Sequence, residues 1–334
     1  MRSSLLLLAL VSLLFQSCNQ PSKNRPIGSI EVLDPSLEEL IDVTAVPEIL
    51  GEGFEWSEGP VWVEEQKMLL FSDIPNNAIM KWTEKAGVEL YLKPAGYTGQ
   101  ETFKGSEGGS NGLLINSNGK LVLCQHGDRR VAMMDAPLDA PTPNFITVAD
   151  RYDGRKFNSP NDAVYDRSGN LFVTDPPYGL PGYMDDPGKE IPYQGVYKVK
   201  QDGTVILLVD SLTRPNGIGL SPDEKTLYVA NSDGPAARWY AFKVSGDSLI
   251  NARIFFQTDF KEEEKGAPDG LKVSKSGHLF ATGPGGVWIF DSSGKALGRI
   301  RLPEATANCA FSKDEEYLYM TSDMYLVRLR LRKN

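Results

Sequence analysis

The chain has 334 residues, 41% of them hydrophobic and 10% aromatic, enough apolar material for a packed core in one closed repeat array as readily as in two domains. Its 32 Gly and 22 Pro follow no collagen-like period and read as the turns of many short strands. A net charge of −9 with a pI near 5 leaves no basic stripe to neutralise phosphates, which excludes nucleic-acid binding.

At the N-terminus, Arg2 precedes an apolar run over residues 5–15 that is too short to span a bilayer. Its continuation, Gln16-Ser17-Cys18, resembles the end of a bacterial lipoprotein signal. That resemblance implies a signal peptide over residues 1–18, lipidation at Cys18, and export to the periplasm or cell envelope, with the membrane met only through the lipid anchor. Phe15 and Gln16 depart from the strict pattern, so ordinary cleavage and an uncleaved anchor stay open. Residues 19–44 read as a polar tether and lead-in, with one helical turn at residues 37–42. Residues 46–50 are strand-like, with no partner nearby in sequence.

From residue 57 onward one short block recurs six times. The copies begin Ser57-Glu58-Gly59-Pro60, Ser110-Asn111-Gly112-Leu113, Pro160-Asn161-Asp162-Ala163, Pro215-Asn216-Gly217-Ile218, Pro268-Asp269-Gly270-Leu271 and Ala307-Asn308-Cys309-Ala310. Their second residues are separated by 53, 50, 55, 53 and 39 positions. Each block opens an alternating apolar run, then a turn such as Asp166-Arg167-Ser168-Gly169-Asn170, then a second apolar run such as Leu171-Phe172-Val173-Thr174. Third strands follow, and in several repeats a fourth, as in Val205-Ile206-Leu207-Leu208. A period near 50 in an all-β pattern predicts a six-bladed β-propeller of four-stranded antiparallel blades around a central channel, over residues 45–331. The sixth repeat ends one strand short, and residues 46–50 are expected to supply that strand and close the ring. Long connections fall at residues 95–109, 135–158 and 176–194; the last is placed to lie across one channel mouth. Cys124 and Cys309 sit in repeats that are not neighbours in such a ring and read as buried thiols rather than a disulfide. With only His126 and His278 in the chain, a multi-histidine metal site is excluded.

A ring of repeats gathers equivalent positions around one axis. The set Glu58, Asn161, Asn216 and Asp269 supplies two carboxylates and two amides, the oxygen donors a hard cation such as Ca²⁺ takes. Two acids balance the double charge of the ion. Asn111 and Asn308 hold the equivalent positions in repeats two and six, where they line the channel without touching the metal.

Several motifs carry a family resemblance. Glu58-Gly59-Pro60-Val61-Trp62, Asn158-Ser159-Pro160-Asn161-Asp162 with Thr174-Asp175-Pro176-Pro177-Tyr178-Gly179, Arg214-Pro215-Asn216-Gly217, and Pro268-Asp269-Gly270 resemble the gluconolactonase / senescence marker protein / luciferin-regenerating enzyme family. The Asp175-Pro176-Pro177-Tyr178-Gly179 form is similar to the bacterial gluconolactonase branch. The resemblance implies a monomeric lactonase that opens a sugar lactone or related cyclic ester, with a divalent metal, most often calcium, held by Glu58, Asn161, Asn216 and Asp269. Some members carry an Arg two residues before the channel Asn; here that residue is Ser159, which puts gluconolactone itself in doubt as the substrate.

The chemistry expected of such a site is polarisation of a lactone carbonyl by the metal, with Asp269 as general base or nucleophile. His126, after the second strand of repeat two, is the candidate proton shuttle. Asn111, Arg129, Asp175 and Tyr178 are the candidate substrate contacts. A non-catalytic sugar-binding propeller and an organophosphate-type phosphotriesterase are the alternatives.

Overall fold

Six blades, each with a four-stranded antiparallel core, surround a common axis in this computed structural model, which describes residues 25–234, 238–261 and 263–331. The segment expected to be a signal, Cys18 and the start of the expected tether lie outside the described residues, and among those described no helix is long and apolar enough to cross a membrane. Blade one runs outward through Ser57–Val63, Met68–Asp73, Ala78–Thr83 and Gly87–Leu92. Its counterparts open with the inner strands Ser110–Ile115, Ala163–Tyr165, Pro215–Leu220, Leu271–Val273 and Thr306–Phe311. Each inner strand packs on the inner strands of both neighbouring blades, including the sixth on the first, so the ring is closed.

Strand alternation explains the packing. Each blade presents apolar side chains on both faces, and six separate hydrophobic clusters fill the six seams between blades. Phe71, Phe172, Tyr197, Trp239 and Phe290 are fully buried in these seams, where each such side chain contributes roughly 1.5–3 kcal/mol. The hairpin turns are set locally. In blade three the Asp166 carboxylate accepts the backbone N–H of Asn170 at 2.9 Å, and Gly169 takes the φ of +78° that closes the turn. Cys124 and Cys309 are free and buried in different seams, as expected.

Closure comes from the N-terminal side, with the strand at Glu48–Glu52 rather than 46–50. It pairs antiparallel with Tyr325–Arg330, the last strand of blade six. Arg328 locks the junction: its guanidinium donates to Glu48 Oε1 at 2.7 Å and to Glu84 Oε2 of blade one at 2.7 Å, and it lies over the rings of Trp82 and Tyr317.

The lead-in expected to end at residue 44 is, from Arg25 on, part of the propeller. Arg25–Pro26 adds a fifth strand to blade six and Ser29–Val32 a fifth strand to blade five. Asp34 caps a 3₁₀ turn at Pro35–Glu39 by accepting the N–H of Ser36 at 3.1 Å, and Leu37 and Ile41 are fully buried between blades five and six. The apolar residues Ile27, Ile30, Leu37 and Ile41 are spaced too irregularly to register as one strand or helix, yet each fits that seam.

Candidate functional site

The repeat signature acquires a physical meaning at the channel. Four inner strands break register next to the signature residue, at Glu58/Val61, Ser110/Leu113, Pro215/Ile218 and Thr306/Asn308. Such bulges turn one side chain out of the pleat, here toward the axis. The glycine that follows permits contact with the next blade. A Cβ on Gly59 would lie 2.0 Å from the carbonyl oxygen of Asn111, and one on Gly217 would lie 2.2 Å from that of Asp269. The (E/N/D)-G pairs are therefore the points where successive blades meet backbone to backbone.

Glu58, Asn111, Asn161, Asn216 and Asp269 line one cavity of about 300 Å³ at one channel mouth, together with Trp56, Glu107, Tyr178 and Ser232. Asn111 Oδ1, Asn161 Oδ1, Asn216 Oδ1 and Asp269 Oδ1 are enclosed and have no hydrogen-bond donor. The orientation of Asn216 follows from its surroundings, since its amide nitrogen donates to Ser232 Oγ at 3.0 Å and that hydroxyl donates to the Pro268 carbonyl at 2.6 Å. Its oxygen is the free end. Glu58 Oε2 accepts the N–H of Gly59 at 2.5 Å and the Asn308 amide at 3.1 Å.

Four donorless buried oxygens in one cavity carry a desolvation penalty that a protein rarely leaves standing. The electrostatics point the same way. Burial first, and then the charge of Asp162, push the Glu58 carboxyl up to about 7. Burial, followed by the charges of Glu58 and Glu107, holds Asp269 well above the usual carboxylate range. An oxygen-seeking cation satisfies the orphaned acceptors and lets both acids ionise. No three His, Cys, Asp or Glu side chains converge as a metal-binding group among the described residues. The donor set here is two acids among three amides, so it fits a hard cation through its carboxamides.

Asn308 faces away from the cavity. Its Oδ1 accepts from the Cys309 N–H at 2.9 Å and from Lys272 Nζ at 3.2 Å, and Lys272 also pairs with Asp162 Oδ2 at 3.4 Å. These residues form a polar floor under Glu58. Beyond it the opposite mouth widens into a larger cavity of about 720 Å³, but its walls are apolar (Val61, Leu113, Val164, Ile218, Val273, Phe311) and it holds none of the oxygen set.

The other sequence candidates divide. Tyr178 lines the cavity, its phenol held neutral by burial. Asp175 does not: its two carboxylate oxygens accept the backbone N–H groups of Asn158 and Ser159 at 2.8 and 2.7 Å, which aims the chain into Asn161. Burial pushes this carboxyl up to about 7. Arg129 is likewise a staple, its Nε on the Phe157 carbonyl at 2.7 Å and its Nη1 on the Gly188 carbonyl at 2.8 Å. Both were expected to face substrate; their charges are committed to backbone groups instead. Ser159 is fully buried, donating to the Pro176 carbonyl at 2.6 Å and accepting from the Gly179 N–H at 2.9 Å, so it holds the turn that presents Tyr178. His126 is fully buried and does not line the cavity; its Nδ1 stands 3.3 Å from Glu107 Oε2. His278 sits half-buried in its hairpin turn beside Ser276.

Trp56, Glu107, Asp162, Ser232 and Lys272 were missed from sequence. Glu107 lay within the Gly105-Ser106-Glu107-Gly108-Gly109 run directly before the second repeat block, where glycines around a lone acid were the available signal.

The SMP-30/Gluconolactonase/LRE-like region matches residues 56–324. The gluconolactonase of Zymomonas mobilis is 37% identical, over 94% of this chain and 89% of its own length. The structure of a gluconolactonase from Xanthomonas campestris superposes with a TM-score of 0.80 at 29% identity, covering 94% of this chain and 99% of the other. A calcium-binding protein, regucalcin, from Agrobacterium tumefaciens shares the fold with a TM-score of 0.66 at 18% identity, covering 85% of this chain and 92% of the other.

Proposed function

The chain belongs to the SMP-30/gluconolactonase/LRE-like family and is a gluconolactonase-like lactone hydrolase; from that premise we propose that it works with a divalent cation, calcium, and that Asp269 is its reactive carboxylate. The observation that carries this reading is the set of donorless buried oxygens on Asn111, Asn161, Asn216 and Asp269 in the cavity that also holds Glu58. Glu58, Asn161, Asn216 and Asp269 would hold the ion, and the all-oxygen donor set suits calcium over metals that favour nitrogen or sulfur. Such a cation, when bound, supplies Lewis-acid polarisation of a carbonyl oxygen and electrostatic stabilisation of the charge that develops there.

The protein's own groups do the rest. Trp56 and Tyr178 wall a cavity of about 300 Å³, the size of a single small cyclic ester such as a sugar lactone. Asn111 offers an unpaired amide oxygen to a substrate hydroxyl. Asp269, ionised, either takes a proton from the attacking water or attacks the acyl carbon itself. Ser159, locked into the turn beneath Tyr178, makes no substrate contact, so selectivity falls to the cavity wall rather than to the position two residues before Asn161. The test is a panel of sugar and simple lactones assayed with chelator and after calcium is restored. Hydrolysis lost on chelation and regained with calcium is the expected result. Full activity in metal-free protein, or no turnover of any lactone, overturns it.

A further inference from the structure

We propose that Glu107 is the acid that protonates the leaving oxygen of the opening lactone, and that His126 is the positioning residue that holds and reprotonates it; the proposal rests on the lactonase reading above. Glu107 lines the same cavity as Asp269 and keeps 25% of its side chain exposed there. It enters on the loop that leads into the inner strand of blade two, whereas Asp269 belongs to blade five. In a ring of six, blades two and five stand across the axis from each other. The two acids thus address a bound substrate from opposed sides, as a ring-opening hydrolysis requires of its base and its acid.

His126 gives the second, independent observation. Its imidazole is fully buried, and neither ring nitrogen has a hydrogen-bond partner, while Nδ1 stands 3.3 Å from Glu107 Oε2. An unpaired buried imidazole is a costly feature for a merely structural residue. Its backbone is fixed on both sides, with its N–H donating to the Gly109 carbonyl at 3.1 Å and its carbonyl accepting from Arg129 at 3.1 Å. The turn carrying Tyr178 rests on it, since a Cβ on Gly179 would lie 2.6 Å from the His126 Cβ. The loop over residues 95–109 and the one over 176–194 also touch through Ser106 Oγ and Tyr183 Oη at 3.1 Å. His126 is therefore the fixed point on which both cavity loops are seated.

The step balances without any further reagent. As the water oxygen bonds to the acyl carbon, its proton passes to the Asp269 carboxylate; if Asp269 attacks first, a mixed anhydride forms, and the water that cleaves it gives its proton to the Glu107 carboxylate left by the first step and frees Asp269. The bond between acyl carbon and ring oxygen breaks, and the leaving alkoxide takes the proton presented by Glu107. His126 Nδ1 returns a proton to Glu107, and the proton on Asp269 passes through solvent back to that pair. One water is consumed and one hydroxy acid is formed.

Glu107→Gln, assayed at saturating calcium, is expected to lower kcat by roughly 10²–10⁴-fold with KM within about threefold of the parent. Calcium affinity, measured directly by calorimetry, should be unchanged. Glu107→Asp, a shorter acid, should recover part of the loss. His126→Asn should lower kcat by about tenfold alone and add nothing in the Glu107→Gln background, because the two residues act as one unit. Near-parental kcat in Glu107→Gln overturns the proposal, as does a loss that extra calcium abolishes, which would make Glu107 a cation ligand. Additive losses overturn the role of His126. A parent that turns over no lactone marks the failure of the lactonase reading and takes this proposal with it, whereas an active parent with an active Glu107→Gln variant refutes this proposal alone.

Discussion

Replacing Asp269 by Asn keeps the shape and one cavity-facing oxygen while removing a charge, and the structure predicts opposite effects on stability and on turnover. Asp269 shares the cavity with Glu58, and burial and the Glu58 charge hold it well above the usual carboxylate range. Like charges in one enclosed cavity repel by a few kcal/mol, about 4 kcal/mol being the value for unit charges at about 4 Å and an effective dielectric of about 20, and a proton retained by the pair relieves part of that. Asp269→Asn should therefore stabilise the cation-free protein by about 1–3 kcal/mol at pH 8, read from urea unfolding in chelator. The same change should weaken calcium binding and, at saturating calcium, lower kcat by roughly 10²–10⁴-fold, or more if Asp269 is the nucleophile. Near-parental kcat with calcium saturating would refute the chemical role. A cation-free variant no more stable than the parent would refute the buried repulsion on which the cation-site reading leans.

The pH dependence of the cation-free protein follows from the same groups. The folded-state pKa of Glu58 is raised from 4.5 to about 7, so its contribution to stability is fully present below about 4.5 and is lost as pH rises through about 7, roughly 3 kcal/mol in all. Calcium should abolish that loss; the parallel contribution from Asp175, raised from 3.8 to about 7 by burial away from the cavity, should persist, and identical pH profiles with and without calcium would refute the assignment. At the ring closure, Arg328→Met removes two charge-assisted hydrogen bonds and two ring contacts from a side chain only 10% exposed, and should cost about 2–4 kcal/mol. Glu84→Gln, at a partner 73% exposed, should cost under about 1 kcal/mol, and equal unfolding midpoints for the two variants would show that the lock does not hold the ring.

The propeller was legible in the sequence because each blade restates the same local physics. Alternating apolar residues, an Asx-type turn such as the one at Asp166, and a signature residue at the start of the inner strand recur without reference to distant parts of the chain. Closure by a strand from the N-terminal side could be inferred as well, since the last repeat lacked a strand and the array needed no open edge. The strands Arg25–Pro26 and Ser29–Val32 could not. Both are short edge strands in which nothing repeats: Arg25–Pro26 pairs with the closing strand Glu48–Glu52, and the partner of Ser29–Val32 lies hundreds of residues away.

The site divides along the same line. A closed ring turns a position in the repeat into a radius and a depth, so Glu58, Asn111, Asn161, Asn216 and Asp269 could be placed in one cavity from spacing alone. Spacing does not fix where a side chain points, because that depends on neighbours from other repeats. Asn308 occupies the equivalent position, yet Lys272 and the Cys309 N–H claim its oxygen and turn its amide toward Glu58. Asp175 and Arg129 carry charges in motifs beside the site, but backbone groups of Asn158, Ser159, Phe157 and Gly188 claim them. Glu107 escaped notice for the converse reason, since it stands outside the repeat and becomes a cavity group only when the 95–109 loop settles on His126. A symmetric scaffold thus writes its shared layer of oxygen donors into the sequence and leaves the remaining cavity groups to contacts between loops, which is where propellers of one fold are free to diverge in function.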